Sequence, residues 1–367
     1  MTRPAGCEHP AVTSDAKRLA ARISDATLAF QDVLTIYLGE RLGFYDDLAR
    51  HGPSTPAELS ARTGTHERYV REWLEQQAAA GVLGCADPAV PAGERRFFLP
   101  PAAVEVLTDR ESLLWSAARP RSLVALAHKL PSLLAAFRSG AGIPDGTEDA
   151  RTAQGDLGRA SFLRQLATEW LPALPDVDAR LRSEPPARVL DVGCGSGWAS
   201  IALARGYPHV RVDGLDLDPA AVEDARANAR AYGVEDRVAF HARDAAAPEL
   251  RDGYDLVLAF EAIHDMPRPV EALAAMRRLA APSGTVLVVE MRIGERFTLP
   301  APANDRLNYG WSVLTCLSSS LCGEEPAGTG TLLRRGTLEG YARRAGFTAI
   351  EDAGVPHEGW TFWRLLG

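Results

Sequence analysis

Arg188-Val189-Leu190-Asp191-Val192-Gly193-Cys194-Gly195-Ser196-Gly197, followed at once by Trp198-Ala199-Ser200-Ile201-Ala202-Leu203-Ala204, is the stretch around which the chain is organised. The short apolar run has the composition of a buried parallel strand. Its three glycines permit a tight turn and a close approach of backbone to a ligand, and the continuation predicts a helix whose N-terminus faces that turn. Strand, glycine turn and helix together predict an open α/β sheet that binds a ligand at the carboxyl end of its first strand.

The spacing is G-x-G-x-G, whereas a pyrophosphate-binding turn reads G-x-G-x-x-G, and Asp191 stands just before the first glycine. A carboxylate there repels a pyrophosphate and suits a cation, such as the ammonium and sulfonium of S-adenosylmethionine, because opposite charges attract strongly in a partly desolvated site. A ribose calls for an acid at the end of the second strand, about 20 residues past the turn. Asp216 closes the strand Val210-Arg211-Val212-Asp213-Gly214-Leu215-Asp216 at that place, while Asp218 with Pro219 reads as the cap of the next helix. A third strand, Val238 to Ala242, leads to Asp244, which suits the adenine amino group, with the N–H of Ala245 meeting a ring nitrogen. The expected cofactor set is Asp191, Gly193, Gly195, Gly197, Asp216, Asp244, Ala245 and Glu261.

On the motif Val-Leu-Asp-Val-Gly-Cys-Gly-Ser-Gly with Gly214-Leu215-Asp216, residues 186–367 resemble a class I S-adenosylmethionine-dependent methyltransferase domain. The whole chain is similar to actinobacterial small-molecule methyltransferases that carry a winged-helix domain in front. The resemblance implies S-adenosylmethionine as methyl donor, a small-molecule acceptor and a homodimer formed through the front domain.

The bulk properties agree with such a protein. A chain of 367 residues is long enough for two domains, and 46% hydrophobic residues argues against disorder. There is no charge-free apolar run of about 18 residues and no apolar signal core at the start, so the expected location is the cytoplasm, with no membrane partner. The five cysteines, Cys7, Cys85, Cys194, Cys316 and Cys322, show no metal-type spacing and are expected as free thiols. A net charge of −8 disfavours a general nucleic-acid binder.

Residues 1–16 read as a disordered tail, 17–110 as a winged-helix and dimerisation domain, 111–185 as a helical connector and pocket lid, and 186–367 as the cofactor-binding domain. In the front domain, helical periodicity from Ala20 to Leu48 predicts two helices broken at Gly39 and Gly43. Ser54 to Gly64 predicts a capped helix, and Thr65 caps another that begins at His66. Residues 82–84 and 95–99 read as the strands of a wing. The second helix of this helix-turn-helix carries Arg68 and Arg71 against Glu67, Glu72 and Glu75, and Tyr69, Val70, Trp73 and Leu74 form an apolar stripe. That favours a structural or dimerising role over DNA reading. Helices punctuated by Pro120, Pro131, Pro172 and Pro175 should fill residues 111–183.

Further buried strands are expected at Tyr254 to Phe260 and Gly284 to Glu290. Thr337 should cap a helix ending at Ala345, and 347–355 with 360–365 should close a seven-stranded, mostly parallel sheet whose last strand is antiparallel. Methyl transfer to a hydroxyl needs alignment and a base. Glu261-Ala262-Ile263-His264-Asp265-Met266 follows the fourth strand, and its His-Asp pair resembles the His-Asp-Trp segment of plant-type O-methyltransferases, whose histidine is the base. His264 is therefore the candidate catalytic residue, with Glu290 able to orient it. No metal is expected, because the Asp-Asn pair of a catechol-type site is missing. Residues 304–311 and Cys316 are placed at a pocket wall. The expected reaction is O-methylation of a secondary metabolite. The alternatives are N- or C-methylation, a non-methylating enzyme that uses the same cofactor, and a donor-sensing winged-helix transcriptional regulator.

Overall fold

In a computed structural model, residues 13–144, 148–244 and 250–367 are described, and the chain divides into two compact units, Met1–Val124 and Ala125–Gly367. The first unit opens with a 28-residue helix, α1 (Ser14–Arg41), N-capped by the Thr13 hydroxyl. The helix thus starts inside the stretch read as tail, while residues 1–12 lie outside the described residues. Nor does it break at Gly39. An added Cβ there would lie 2.4 Å from the Trp73 ring and 2.7 Å from Tyr45, so this glycine serves close packing. The chain turns at Gly43, whose φ of 69° favours glycine, into α2 (Phe44–His51).

The helix-turn-helix follows as α3 (Pro56–Thr63), with a Thr55/Glu58 capping box, and α4 (Glu67–Ala79). His66 rather than Thr65 caps α4, its side chain accepting from the Arg68 N–H, so the helix begins one residue late. Two short antiparallel strands, β1 (Gly84–Cys85) and β2 (Phe97–Phe98), make the wing, and α5 (Pro101–Leu107) follows. Phe44, Tyr45, Leu48, Leu59, Val70, Trp73, Leu74 and Phe97 form the core. Tyr69, counted with the apolar stripe of α4, instead points outward and is 80% exposed.

α6 (Ala118–Ser139) contains the division between the units and carries Pro131 within it, so that proline does not end a helix. Then come α7 (Glu148–Gln165), a π-helical turn at Leu166–Trp170 and α8 (Pro175–Arg182). The α/β part runs β3 (Arg188–Val192), α9 (Trp198–Gly206), β4 (Arg211–Asp216), α10 (Pro219–Ala231), β5 (Val238–Ala242), β6 (Tyr254–Phe260), α11 (Pro269–Leu279) and β7 (Ala280–Met291). It closes with α12 (Ala303–Trp311), a second π-helical turn at Ser312–Cys316, α13 (Leu317–Ser320), α14 (Arg335–Arg344), β8 (Ala349–Asp352) and β9 (Trp360–Leu366). α14 starts before Thr337, because the Arg334 carbonyl already accepts from the Thr337 and Leu338 N–H groups.

The strands are ordered β5-β4-β3-β6-β7-β9-β8, and β9 lies antiparallel between β7 and β8. This is the expected seven-stranded sheet. Val189 joins the hydrophobic cluster on one side of it, while Leu190 and Val192 join the cluster on the other. Burial on both faces explains why β3 reads as a continuous apolar run. From β3 the chain builds outward to β5 and then jumps back to β6. The crevice between the carboxyl ends of β3 and β6 is therefore the switch point where open α/β sheets bind ligands.

Candidate active site

The three turn glycines all have positive φ, 73°, 51° and 80° at Gly193, Gly195 and Gly197, but for different reasons. A Cβ on Gly193 would lie 2.6 Å from that of Ala262, and one on Gly197 would lie 2.6 Å from the Phe240 ring. Those two are bound by packing. At Gly195 nothing lies within 4 Å, so the middle of the turn is the part left open to a ligand.

Two acids converge on this turn, Asp191 buried and Asp216 partly buried. Asp191 is 1% exposed and its Oδ2 accepts from the Ser200 hydroxyl at 2.7 Å. Burial pushes its pKa up to about 6, the Ser200 hydrogen bond opposes this, and the nearby Asp216 charge adds to it. Asp216 accepts from the Gly195 N–H at 2.8 Å and from the Asp218 N–H at 2.9 Å, and burial raises its pKa as well. Each oxygen of Asp216 thus keeps capacity for a further donor. Asp218 caps α10 through the Ala220 N–H. Mutually repelling buried carboxylates favour a cationic ligand.

Asp244 stands just past β5 and pairs with Arg268 at 2.7 Å. Ala245 falls outside the described residues. Glu261 is one of two non-glycine residues with positive φ among the described residues, at 50°, and its carboxylate accepts from the Trp360 indole N–H. Burial pushes its pKa up to about 7, against that hydrogen bond. Strain of this kind persists only where the surroundings hold it, and it clusters at functional sites. Trp360 in turn stacks on Phe162 at 5.7 Å and on His357 at 4.6 Å, with Phe162 edge-on to Phe260 at 5.0 Å.

Beyond Glu261, His264 is 3% exposed and Glu290, at the end of β7, is 1% exposed. The imidazole Nδ1 lies 2.5 Å from Glu290 Oε2, and the His264 backbone N–H donates to Oε1 at 3.3 Å. An ionised Glu290 places the ring proton on Nδ1 and leaves Nε2 as the reactive nitrogen. Burial works to lower the histidine's pKa, but Glu290, Asp265 and a hydrogen bond to Cys316 outweigh it and hold it well above the usual value. Desolvation pushes the partly buried Cys316 thiol up as well.

Residues 304–311 spend their polarity inside the protein. Asp305 accepts from the Gly294 N–H at 3.1 Å, and Asn308 Nδ2 donates to the Asn304 carbonyl at 3.0 Å. Two contributors escaped the sequence reading, and a third was placed without its partner. Ser200 is one turn into α9 and reads only as a helix residue. Gly155 on α7 is where an added Cβ would lie 2.4 Å from Ser196 Oγ, so it lets that helix rest on the glycine turn. Cys316, placed at a pocket wall by the sequence, reaches His264 from a distant segment, a pairing that no spacing signals.

Residues 183–324 match a family described as a methyltransferase domain, and residues 31–109 match the Rv2258c-like winged HTH domain. The C-terminal unit carries a methyltransferase domain. The mitomycin biosynthesis 6-O-methyltransferase of Streptomyces lavendulae is 27% identical over 270 residues, covering 71% of this chain and 74% of that protein. Norajmaline N-methyltransferase of Rauvolfia serpentina is 33% identical over 108 residues, 29% of this chain and 37% of that protein. For five of the curated relatives the match spans only 31% to 42% of their own length. Among solved structures, human N-acetylserotonin methyltransferase in complex with SAM superposes with a TM-score of 0.70 at 17% identity, covering 98% of this chain and 100% of that one. At that identity the likeness shows the fold. The methyltransferase domain and the winged helix thus stand in the order read from the sequence, and no described helix is long and apolar enough to cross a membrane.

Proposed function

We propose that this protein is an S-adenosylmethionine-dependent methyltransferase that methylates a hydroxyl of a small secondary metabolite in the cytoplasm. One observation carries the reading: an open glycine turn flanked by the buried Asp191 and the partly buried Asp216 lies across the switch point from a buried His264–Glu290 pair. The fit to the donor is chemical, since its sulfonium and ammonium relieve the repulsion between the two acids. The bound donor supplies an activated methyl group to a nucleophile in line with it. Asp216 would hold the ribose hydroxyls, and Asp244 and the Ala245 backbone the adenine. Asp191, tied to Ser200, would act through its field. His264 Nε2 would accept the hydroxyl proton, with Glu290 fixing the ring.

Incubation with methyl-labelled donor and extracts of metabolite-producing cells tests the reaction. A labelled small-molecule ether supports it. A labelled amine or C-methyl product would reassign the atom, and label found only in protein or nucleic acid would sink it. The curated relatives include both O- and N-methyltransferases, so the acceptor atom is the part this experiment decides.

The N-terminal unit is proposed to form a homodimer. On α1, Leu19, Ile23, Leu28 and Phe30 are 46% to 61% exposed, more apolar surface than a stable free helix face leaves in water. Light scattering at micromolar concentration should give twice the chain mass, and Ile23→Glu with Leu28→Glu should return a monomer. A monomeric wild-type protein would remove this reading. On α4, Arg68 pairs with Glu72 of the same helix at 2.5 Å, which argues against a phosphate-facing recognition helix. Among the described residues Cys85, Cys194 and Cys316 are thiols outside any disulfide.

A further inference from the structure

We propose that His264, Asp265 and Cys316 form an open three-ligand site for a borderline divalent cation, zinc before others. A ring nitrogen of His264, a carboxylate oxygen of Asp265 and Sγ of Cys316 all lie within 4.8 Å of one another, and Nε2 is 3.7 Å from Asp265 Oδ2. Bonds of about 2.0–2.3 Å around a tetrahedral zinc set neighbouring ligand atoms roughly 3.3–3.8 Å apart. Side-chain movements of about 1 Å or less would close the set.

The donor set selects the ion. One imidazole, one thiolate and one carboxylate suit zinc, while magnesium and calcium prefer all-oxygen shells. The second shell points the same way. A ligating histidine almost always donates its other ring N–H to a carboxylate, and the buried Glu290 receives Nδ1 at 2.5 Å. That pairing keeps a proton on Nδ1, so Nε2, once it gives up its own proton, has its lone pair for a metal. Cys316 ends the π-helical turn Ser312–Cys316, a local unwinding that is common at functional sites. Three protein ligands with a fourth position open is the coordination of reactive rather than structural zinc.

Binding would release the thiol proton, as zinc sites do. It would also occupy the nitrogen that accepts the substrate proton, so zinc and base catalysis exclude one another. This last consequence rests on the proposed role of His264, whereas the site itself does not.

The test uses full-length protein stripped with chelator and shown to bind S-adenosylhomocysteine. Addition of cobalt(II) should give a thiolate-to-metal charge-transfer absorption that saturates at one equivalent per chain and disappears when zinc is added. Cys316→Ser should abolish the band, Asp265→Asn should weaken cobalt binding at least tenfold, and Cys322→Ser should leave the band intact. No band in the stripped wild type, or an equal band in Cys316→Ser, overturns the site. If Cys316→Ser no longer binds S-adenosylhomocysteine, Asp265→Asn decides, because it keeps the thiol: unchanged cobalt affinity there overturns the proposal. Equimolar zinc should suppress methyl transfer and chelator should restore it. Zinc that binds without suppressing transfer would overturn the exclusion and leave the spectroscopic result standing, so the two failures are distinguishable.

Discussion

Replacing Asp216 with alanine should weaken S-adenosylmethionine binding by about 100-fold or more. In the proposed role the carboxylate accepts two ribose hydroxyls, hydrogen bonds to a charged group contribute about 1.5–3 kcal/mol each, and every 1.4 kcal/mol is tenfold in affinity. The same side chain also holds the Gly195 N–H, so part of the loss comes from a loosened turn. Titration calorimetry with donor and with S-adenosylhomocysteine measures it, on variants whose unfolding transition matches the wild type. Equal affinity in Asp216→Ala would remove the ribose assignment.

The buried acids give this binding a pH signature. The pKa of Asp191 is raised from 3.8 to about 6 and that of Glu261 from 4.5 to about 7, with Asp216 raised as well. A raised carboxyl contributes stability that is fully present below its unfolded pKa, near 4, and is lost as pH rises through 6 to 7, where the folded protein must ionise it. A cationic donor favours the ionised acids. Its binding should therefore release protons between about pH 5 and 7, tighten with pH across that window and offset the loss of stability. Enthalpies at pH 6 in buffers of different ionisation enthalpy read the release directly. Values independent of buffer would disconnect the acids from the donor.

The second large effect is expected at His264. In metal-free enzyme, His264→Ala should lower turnover by about 100-fold or more while leaving donor affinity unchanged, the split that marks a group acting on the acceptor. Glu290→Gln should fall in the same direction with a smaller effect, because it frees the ring without removing it. The imidazole must be neutral to accept a proton and its pKa is held high, so wild-type turnover should rise with pH. An alanine variant with wild-type turnover at every pH would leave His264 a structural residue and alignment the main catalytic contribution.

Some of this was legible residue by residue. Asp191, the glycines and Asp216 sit within one strand-turn-helix unit and the strand that follows, so their spacing alone carried their geometry. The helix-turn-helix was readable because capping and punctuation are local. Gly39 was misread for the same reason: a glycine that lets Trp73 approach looks in sequence like one that ends a helix. Within residues 304–311 the side-chain types suggest a pocket wall, and the partners of Asp305 and Asn308, the Gly294 N–H and the Asn304 carbonyl, are visible only in the fold.

The order of the elements, the seven strands and the acids at their carboxyl ends follow from the linear chain, because each depends on contacts a few residues long or on periodic burial. How those acids are held and what faces His264 emerge from the folded packing. Trp360 on Glu261, Glu290 on Nδ1 and Cys316 beside the imidazole are pairings between segments far apart in the chain, while the Ser200–Asp191 bond spans nine residues across the glycine turn. Such pairings are set by sheet order and by the turn at Ser312–Cys316, and their electrostatic weight comes from burial, which no linear spacing records.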